Sequence, residues 1–345
     1  MGSGGNEHVV TCTAKNDGTL GNGIDIQVGF LADESTPAGV GVAIVAMASG
    51  ATDPDITTAL DVLADEPYDF IISPYTDSTS LTAQATAWND VGGRWDPVRG
   101  LYGQVFGAAK MANLSAAASF GAARNDPENH AWAIIGSPTW APEWSAALGC
   151  AAARALKSAP AASHAGTRVY GVVAPPMASR LTMTERNTLL FTGVSTFYSV
   201  GRGRGQTYLD TTITTYQTDA ASNEDESWLL AQTRRLVTLI QRNAASSLYQ
   251  RFQQHSLASD DTPAPPGLRV ATPAKIKGHL SKRHDAWLSS GWCQGTTGDF
   301  IDRLVVELNE ETTTRVDVQM QPALAQPLNQ IAVQNRFLTR TPEGI

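Results

Sequence analysis

The sequence predicts an α/β protein: a central, mostly parallel sheet flanked by helices, followed by a smaller C-terminal α+β domain. Three observations carry that expectation. From Val40 onward short apolar runs alternate with helical stretches of about a dozen residues, the pattern of parallel strands joined by crossover helices. A Pro/Asp-rich stretch, "ASDDTPAPPG", interrupts the alternation at residues 258–267 and reads as a linker. Beyond it a basic helix is followed by strands rather than by further alternation.

The elements follow in order. "MGSGG" at the start reads as an expression remnant and is set aside (residues 1–5). "NEHVVTCTAKNDG" then opens in mid-strand, which suggests a trimmed native chain whose assembly arms are missing, so that this form is expected as a monomer. "HVVTCTA" and "IDIQVGF" are strand-like and separated by Asn-Asp-Gly and Gly-Asn-Gly turn chemistry, giving an N-terminal β segment over residues 6–36. The central α/β domain spans 37–259. "VAIVAM" is a buried-strand candidate, and "DPDITTALDVLADEP" a helix with Ile56, Leu60 and Leu63 at helical spacing. The strands "YDFIISPY", "LYGQVFGAA", "HAWAIIG", "TRVYGVV" and "STFYSV" alternate with helices over "LTAQATAWNDVGG", "NLSAAASFGAA", "APEWSAALGCAAARALKS" and "TMTERNTLLFTGV". A long helix, "EDESWLLAQTRRLVTLIQRNAASSLYQRFQQ", is led by acidic residues and carries Leu229, Leu236, Leu239 and Ile240 on its apolar face. The linker covers 260–272. The C-terminal domain, 273–345, reads as a helix from Pro273 to Trp292, then strands in "DFIDRLVVELNE", "TTTRVDVQMQPA" and "PLNQIAVQNRFL".

Composition narrows the function classes. The chain has 345 residues, 42% hydrophobic and 17% charged, with a formal net charge of −8. That charge argues against a surface that grips nucleic acid or anionic lipid as a whole. No apolar run reaches the ~18–20 residues of a membrane helix, so no membrane insertion is expected. The three cysteines, Cys12, Cys150 and Cys293, are scattered and form no CxxC pair, which fits a reducing compartment. Cys150, inside an alanine-rich helical pattern, reads as a small buried hydrophobe.

A search for chemistry finds little. "GRGRG", Gly201–Gly205, is the one glycine cluster that could cradle a phosphate. It leads into "QTYLDTTITTY", an alternating β-branched stretch, rather than into a helix, and it lacks Gly-Lys-Ser/Thr, so a β-turn is the better reading. The six histidines form no HExxH; His279 and His284 stand five apart without a Cys or acidic partner at zinc spacing and read as surface histidines on a basic helix. There is no Gly-x-Ser-x-Gly elbow. A Ser/His/Asp triad assembled only in space stays open, though no serine recommends itself. Catalytic, cofactor and metal residues are therefore expected to be none. The acidic "NEDES" at 223–227 reads as helix N-terminal charge. Two features stand out: the basic run "KIKGHLSKRH", with Lys275, Lys277, Lys282 and Arg283 in an acidic protein, and a strand-rich ending with edge character. The first is either a solvated face or a dock for an acidic partner; the second could add a strand to a neighbour.

The ordered stretches "TCTAKNDGTLGNGIDI", "YDFIISPYTD", "NDPENHAWAIIG", "RNTLLFTGVSTF", "ITTYQTDAASNEDESWLLAQTRRLVTLIQR", "TPAKIKGHL" and "LVVELNEETTTRVDVQMQPALAQPLNQIAV" resemble the contractile tail sheath proteins of bacteriophages, closest to the Mu-like type. The resemblance implies a non-enzymatic virion component made in the host cytoplasm. It implies a central region likened to subtilisin's fold without its catalytic residues. Subunits would form six-membered rings stacked helically around the tail tube, meet the baseplate, contract to drive the tube through the host envelope, and bind no nucleic acid directly. Terminal arms would tie neighbours by strand addition, and Lys275, Lys277, Lys282 and Arg283 would face the tube. Two other readings stay open: the sheath of a tailocin or related injection machine, and an α/β enzyme, hydrolytic or nucleotide-dependent.

Overall fold

The computed structural model describes residues 9–28, 35–202, 205–263, 265 and 267–334. The elements of the central region run in chain order from α1 (Thr57–Val62) through β1 (Phe70–Ile72), α2 (Ser78–Ala87), β2 (Gln104–Met111), α3 (Leu114–Ala122), β3 (Asn129–Ile135) and α4 (Ala141–Ser158). There follow β4 (Arg168–Val169), α5 (Met183–Leu190), β5 (Phe197–Val200), β6 (Gln206–Leu209) and the 22-residue α6 (Ala231–Phe252). The remainder comprises β7 (Ser256–Leu257), β8 (Val270–Ala271), α7 (Pro273–Ser289), α8 (Thr297–Arg303), β9 (Val305–Leu308) and β10 (Val316–Gln319).

The mixed α/β class expected from the alternation is present, with a parallel sheet ordered β1-β2-β3. β2 and β3 are buried along nearly their whole length, as strands covered on both faces must be. α4 crosses this sheet and supplies Trp144, Leu148 and Leu156 to a core that includes Phe106, Trp132 and Ile134. A Cβ at Gly149 would sit 2.8 Å from Ile72 Cγ1 and 3.2 Å from Phe106 Cβ, so only glycine lets α4 lie this close to the sheet. Helix starts are locally specified: Asn113 caps α3, and Thr182 with Glu185 forms a capping box on α5.

Several expectations are corrected. The sheet is less parallel than the alternation suggests: β4, β6 and β5 form a separate antiparallel sheet. β5 and β6 are neighbours in sequence and pair antiparallel from Val200↔Gln206 back to Phe197↔Leu209, with no crossover helix between them. Gly201 and Gly205 have φ of +86° and +46°, and Arg180 Nη1 donates to the Gly201 carbonyl at 2.7 Å. The described residues of "GRGRG", Gly201, Arg202 and Gly205, thus lie between paired antiparallel strands and not at the start of a helix. The N-terminal β segment is not a β segment among the described residues: 9–28 hold a 3₁₀ turn at Thr19–Gly23 and no strand, and Val9 and Val10 are exposed. "VAIVAM" is neither strand nor core; Val42, Ile44 and Val45 stand in solvent. Both stretches have β-branched composition but find no ladder partner among the described residues, and strand propensity alone does not hold a strand. "DFIDR" is helical in α8, started by a Thr296–Asp299 capping box that takes precedence over the β-like run. Residues 327–334 of "PLNQIAVQNRFL" form no strand, and the rest lies outside the described residues. Cys150 is exposed and Cys293 buried, because Cys150 lies opposite Leu148 and Ala152 on α4. The "NEDES" residues precede α6 in a loop instead of opening it: Thr218 bridges Glu224, and Asp225 accepts from the Tyr216 hydroxyl at 2.6 Å.

α6 joins two cores. Its first half meets the sheet, with Ala231 in the central core and Val237 against the Trp88/Trp95/Tyr102 cluster. Its second half gives Ile240, Ala244, Leu248 and Phe252 to a C-terminal core built with Ile276, Leu280, Trp287 and Phe300. The apolar change of partner therefore falls inside the helix, ahead of the linker at 260–272.

A line of arginines fixes α6 to the sheet. Arg234, 4% exposed, pairs with Glu128 at 3.3 Å and lies between the rings of Trp95 and Trp228, 3.8 and 4.6 Å from their centroids. Arg235 and Arg242 both pair with Asp69 at the foot of β1, and Arg242 also donates to the Leu101 carbonyl. Burial pushes the Glu128 carboxyl up to about 7 against the pull of Arg234. Burial also drives His130 down to about 3 and His164 down to about 4.

Two predictions follow from this interior. Arg234→Met leaves Glu128 buried without its cation, which costs about 3–5 kcal/mol. Because a raised carboxyl pKa favours the fold only while protonated, that loss should be larger at pH 8 than at pH 5 by urea unfolding; an equal loss would contradict the pairing. For the histidines the sign is opposite: their depressed pKa values give stability that is present above pH 6.5 and lost as pH falls toward 4 and 3. Two histidines outweigh the one carboxyl, so acidification from pH 7 to 5.5 should lower stability by on the order of 1 kcal/mol per unit. A urea midpoint unchanged or higher at pH 5.5 would contradict the assignment.

Candidate assembly surface

The sequence offers one charged feature that calls for a partner, the basic helix, and the structure places it as α7. Thr272 caps its first turn through Lys275 N, and Pro273 occupies the start. Ile276, Leu280, His284 and Trp287 form its buried stripe. At about 100° per residue, Lys275 and Lys282 lie within about 20° of one another on the outer face, Arg283 about 80° round, and Lys277 about 160° round on the far flank. The four residues thus do not make one patch.

Their environments differ accordingly. Lys275 and Lys282 are exposed, while Lys277 and Arg283 are half-buried. Lys275 Nζ donates to the Val270 carbonyl at 2.8 Å. Arg283 is committed inward: its Nε and Nη2 both donate to Asn243 Oδ1 on α6, at 3.2 and 2.7 Å, and Trp287 Nε1 donates to the same oxygen at 2.9 Å. Asn243 therefore clamps α7 to α6, a role invisible in the sequence because its partners lie 40 and 44 positions away. The outer face gains a cation the sequence reading missed. Arg251, exposed near the end of α6, lies close enough to His279 to join Arg283 and Lys282 in holding its pKa down, after burial itself.

The two histidines of this helix are structural. His284 is buried and stacks on Phe300, ring centroids 4.3 Å apart and planes 5° apart, with a ring nitrogen 3.0 Å from Thr297 Oγ1. His279 meets Phe252 edge-on at 5.8 Å. Both differ from the surface histidines expected, because i, i+5 spacing sets one on the core stripe and the other at its border.

Elsewhere, His130 Nδ1 donates one bond, to the Ile213 carbonyl at 2.9 Å, and His164 has no partner at either ring nitrogen among the described residues. Neither lines either of two surface depressions. The larger depression, about 470 Å³, is lined by Asp25, Thr139, Trp140 and Glu143 among others; the smaller, about 50 Å³, by Arg180, Arg186 and Tyr198. Among the described residues no three His, Cys, Asp or Glu side chains converge as a metal site, and no helix is long and apolar enough to cross a membrane.

With the geometry set out, relationship to known proteins can be judged. Residues 49–212 match the family model described as the phage tail sheath protein central domain. Over 273 residues the chain is 33% identical to the Mu-like prophage FluMu tail sheath protein of Haemophilus influenzae, a match covering 79% of this chain and 55% of that protein. The chain thus spans about half the length of the curated relative it matches. Its fold is similar to that of a chain in the six-fold symmetrised cryo-EM structure of the anti-feeding prophage baseplate, with a TM-score of 0.50 and 14% identity over 79% of this chain and 69% of that one. The segment that forms the parallel sheet and the β4–β6–β5 sheet, residues 49–212, matches the phage tail sheath central domain, the family that the ordered motifs of the sequence resemble.

Proposed function

We propose that this protein is a structural, non-enzymatic subunit of the sheath of a contractile phage tail or related injection machine. The observation that carries this reading is the sheath central-domain match over residues 49–212, together with the identity to a Mu-like prophage tail sheath protein. On this reading the subunits stack as six-membered rings around a tail tube, above a baseplate, and contract to drive the tube through an envelope; the protein is then part of the virion, made in the host cytoplasm. The central region would be the subtilisin-like scaffold that the resemblance implies, carrying no catalytic set.

Physically such a sheath is a bistable lattice: the same rigid subunits in two packings, with a small free-energy difference summed over many copies. The interior supports rigidity, since α6 belongs to both cores and is pinned by Arg234, Arg235 and Arg242. The outer face of α7 supports tube contact. Lys275 and Lys282, with Arg251 beside them, form a cationic surface in a chain of net charge −8, suited to steering and fixing register on an acidic partner. We assign the tube contact to Lys275, Lys282 and Arg251, with Lys277 at the flank and Arg283 as the residue that holds the helix in place.

Co-sedimentation with polymerised tail tube tests both parts. The chain should pellet with tubes. K275E/K282E should keep its melting temperature and lose about tenfold or more in tube binding, more at low salt than at high salt. R283E should instead lower stability, because it breaks the Asn243 clamp. Normal binding by K275E/K282E would remove α7 as the contact, and failure of the wild-type chain to bind any tube would count against the sheath reading.

A further inference from the structure

The outer face of the small antiparallel sheet carries a row of side chains that the proposed tube contact does not use. Arg168 on β4 is directly opposite Tyr208 on β6, which is directly opposite Tyr198 on β5. Facing residues in adjacent strands project to the same side, and the two tyrosine rings stack at 5.5 Å with 20° between planes. The alternate residues Val169, Thr207 and Leu209 are buried beneath, so the row lies outward. Just beyond β4, Tyr170 is 58% exposed and lies under two guanidiniums, Arg168 at 4.9 Å and Arg154 at 5.6 Å. Arg154 donates to the Arg168 carbonyl at 2.8 Å, which holds the two cations together over one ring.

Among the described residues no carboxylate pairs with Arg154 or Arg168. Two adjacent like charges over an exposed tyrosine, in a protein of net charge −8, form an arrangement completed by an incoming anion. Arginine and tyrosine are also the residues that dominate binding energy at protein interfaces. A nucleic-acid platform is the less favoured alternative, since the tyrosines stack on each other instead of offering free faces to bases.

The chain carries a complementary element. The loop 219–226 is held rigid from within: Asp219 accepts from the amides of Ala221 and Asn223 at 2.9 and 2.8 Å, and Asp225 accepts from Tyr216. Glu224 and Glu226 are exposed and have no cationic partner among the described residues. This loop is anchored at the amino end of β3, where Thr215 N donates to the Asn129 carbonyl at 3.0 Å and Gln217 N to Asn125 Oδ1 at 2.7 Å. The Arg168–Tyr208–Tyr198 row lies toward the other end, since Ser195 bridges Trp132 in parallel and β5 runs on toward the carboxyl end of β3; Arg154, late on α4, reaches it through its side chain.

We infer that the Arg154–Arg168–Tyr170 face receives Glu224 and Glu226 of a second copy of this chain, end to end along the sheet. Complementary patches at opposite ends form a heterologous contact, one that propagates into rings or filaments instead of closing on itself as a dimer. The inference deepens the sheath reading by naming a subunit–subunit contact.

Sedimentation velocity of the chain alone, without tube, tests it through mutual rescue. The wild type should self-associate with concentration at low salt and less at high salt. R154E/R168E and E224R/E226R should each weaken association about tenfold or more, with melting temperatures unchanged because all four side chains are exposed. An equimolar mixture of the two variants should associate as the wild type does. Absence of wild-type association, association unaffected by either reversal, or a mixture that stays monomeric would overturn the inference, as would salt-sensitive binding of a single-stranded oligonucleotide to this face without self-association. The two readings fail separately: tube binding without rescue leaves the sheath and removes this contact, whereas rescue without tube binding keeps the contact and removes the sheath.

Discussion

The burial of Arg234 is the constraint on which the rest of the structure depends. A guanidinium taken out of water is costly unless charge, hydrogen bonds and polarizable surface replace its hydration. Here Glu128 supplies the charge, and the faces of Trp95 and Trp228 supply the surface. Each of these groups comes from a different part of the chain: Glu128 from just before β3, Trp95 from the loop ahead of β2, Trp228 and Arg234 from the approach to α6 and its first turns. Satisfying one cation therefore fixes the position of α6 relative to the sheet. Arg235, the next residue, and Arg242, about two turns further along, repeat the device through the single carboxylate of Asp69.

Once α6 is fixed, the C-terminal half follows. The same helix carries Ile240, Ala244 and Leu248 into the second core, and Asn243 receives three donors from α7. Position and orientation of the basic helix are thus inherited from the central sheet through one continuous rod. For the sheath subunit we propose, this matters more than any pocket. Displacement applied at one end of a stiff element reaches the other without loss, and a lattice of such units can change packing while each unit keeps its fold.

The sequence made the repeating parts legible. Strands β1, β2 and β3 and helices α3, α4 and α7 lie close to where the alternating apolar runs put them, because covered strands and amphipathic helices write their burial into local spacing. By contrast, α2 starts at Ser78 and ends at Ala87, short of the paired glycines expected to stop it. It misled where a local pattern needs a distant partner. Val42–Val45 and Val9–Val10 have strand composition but no neighbouring strand among the described residues. "DFIDR" looks extended until the Thr296–Asp299 box is recognised. The basic run was readable as a run, yet its division into an outer pair, a flank and an inward clamp depends on the phase of α7, and the contribution of Arg251 on where α6 ends. Asn243, Glu128 and the Arg168–Tyr208–Tyr198 row carry no local signal at all. They are defined by residues tens of positions apart, and only the register of strands and the packing of helices bring them together.

Immunogold electron microscopy tests the central claim most directly, with antibodies raised against residues 49–212 and applied to contractile-tail particles from the cells that make this protein. If the protein is a sheath subunit, gold will decorate the shaft between collar and baseplate at regular spacing, and in contracted particles the labelled length will shorten while the bare tube emerges. Gold confined to the soluble fraction, or to capsid or fibres with an unlabelled shaft, would contradict the account.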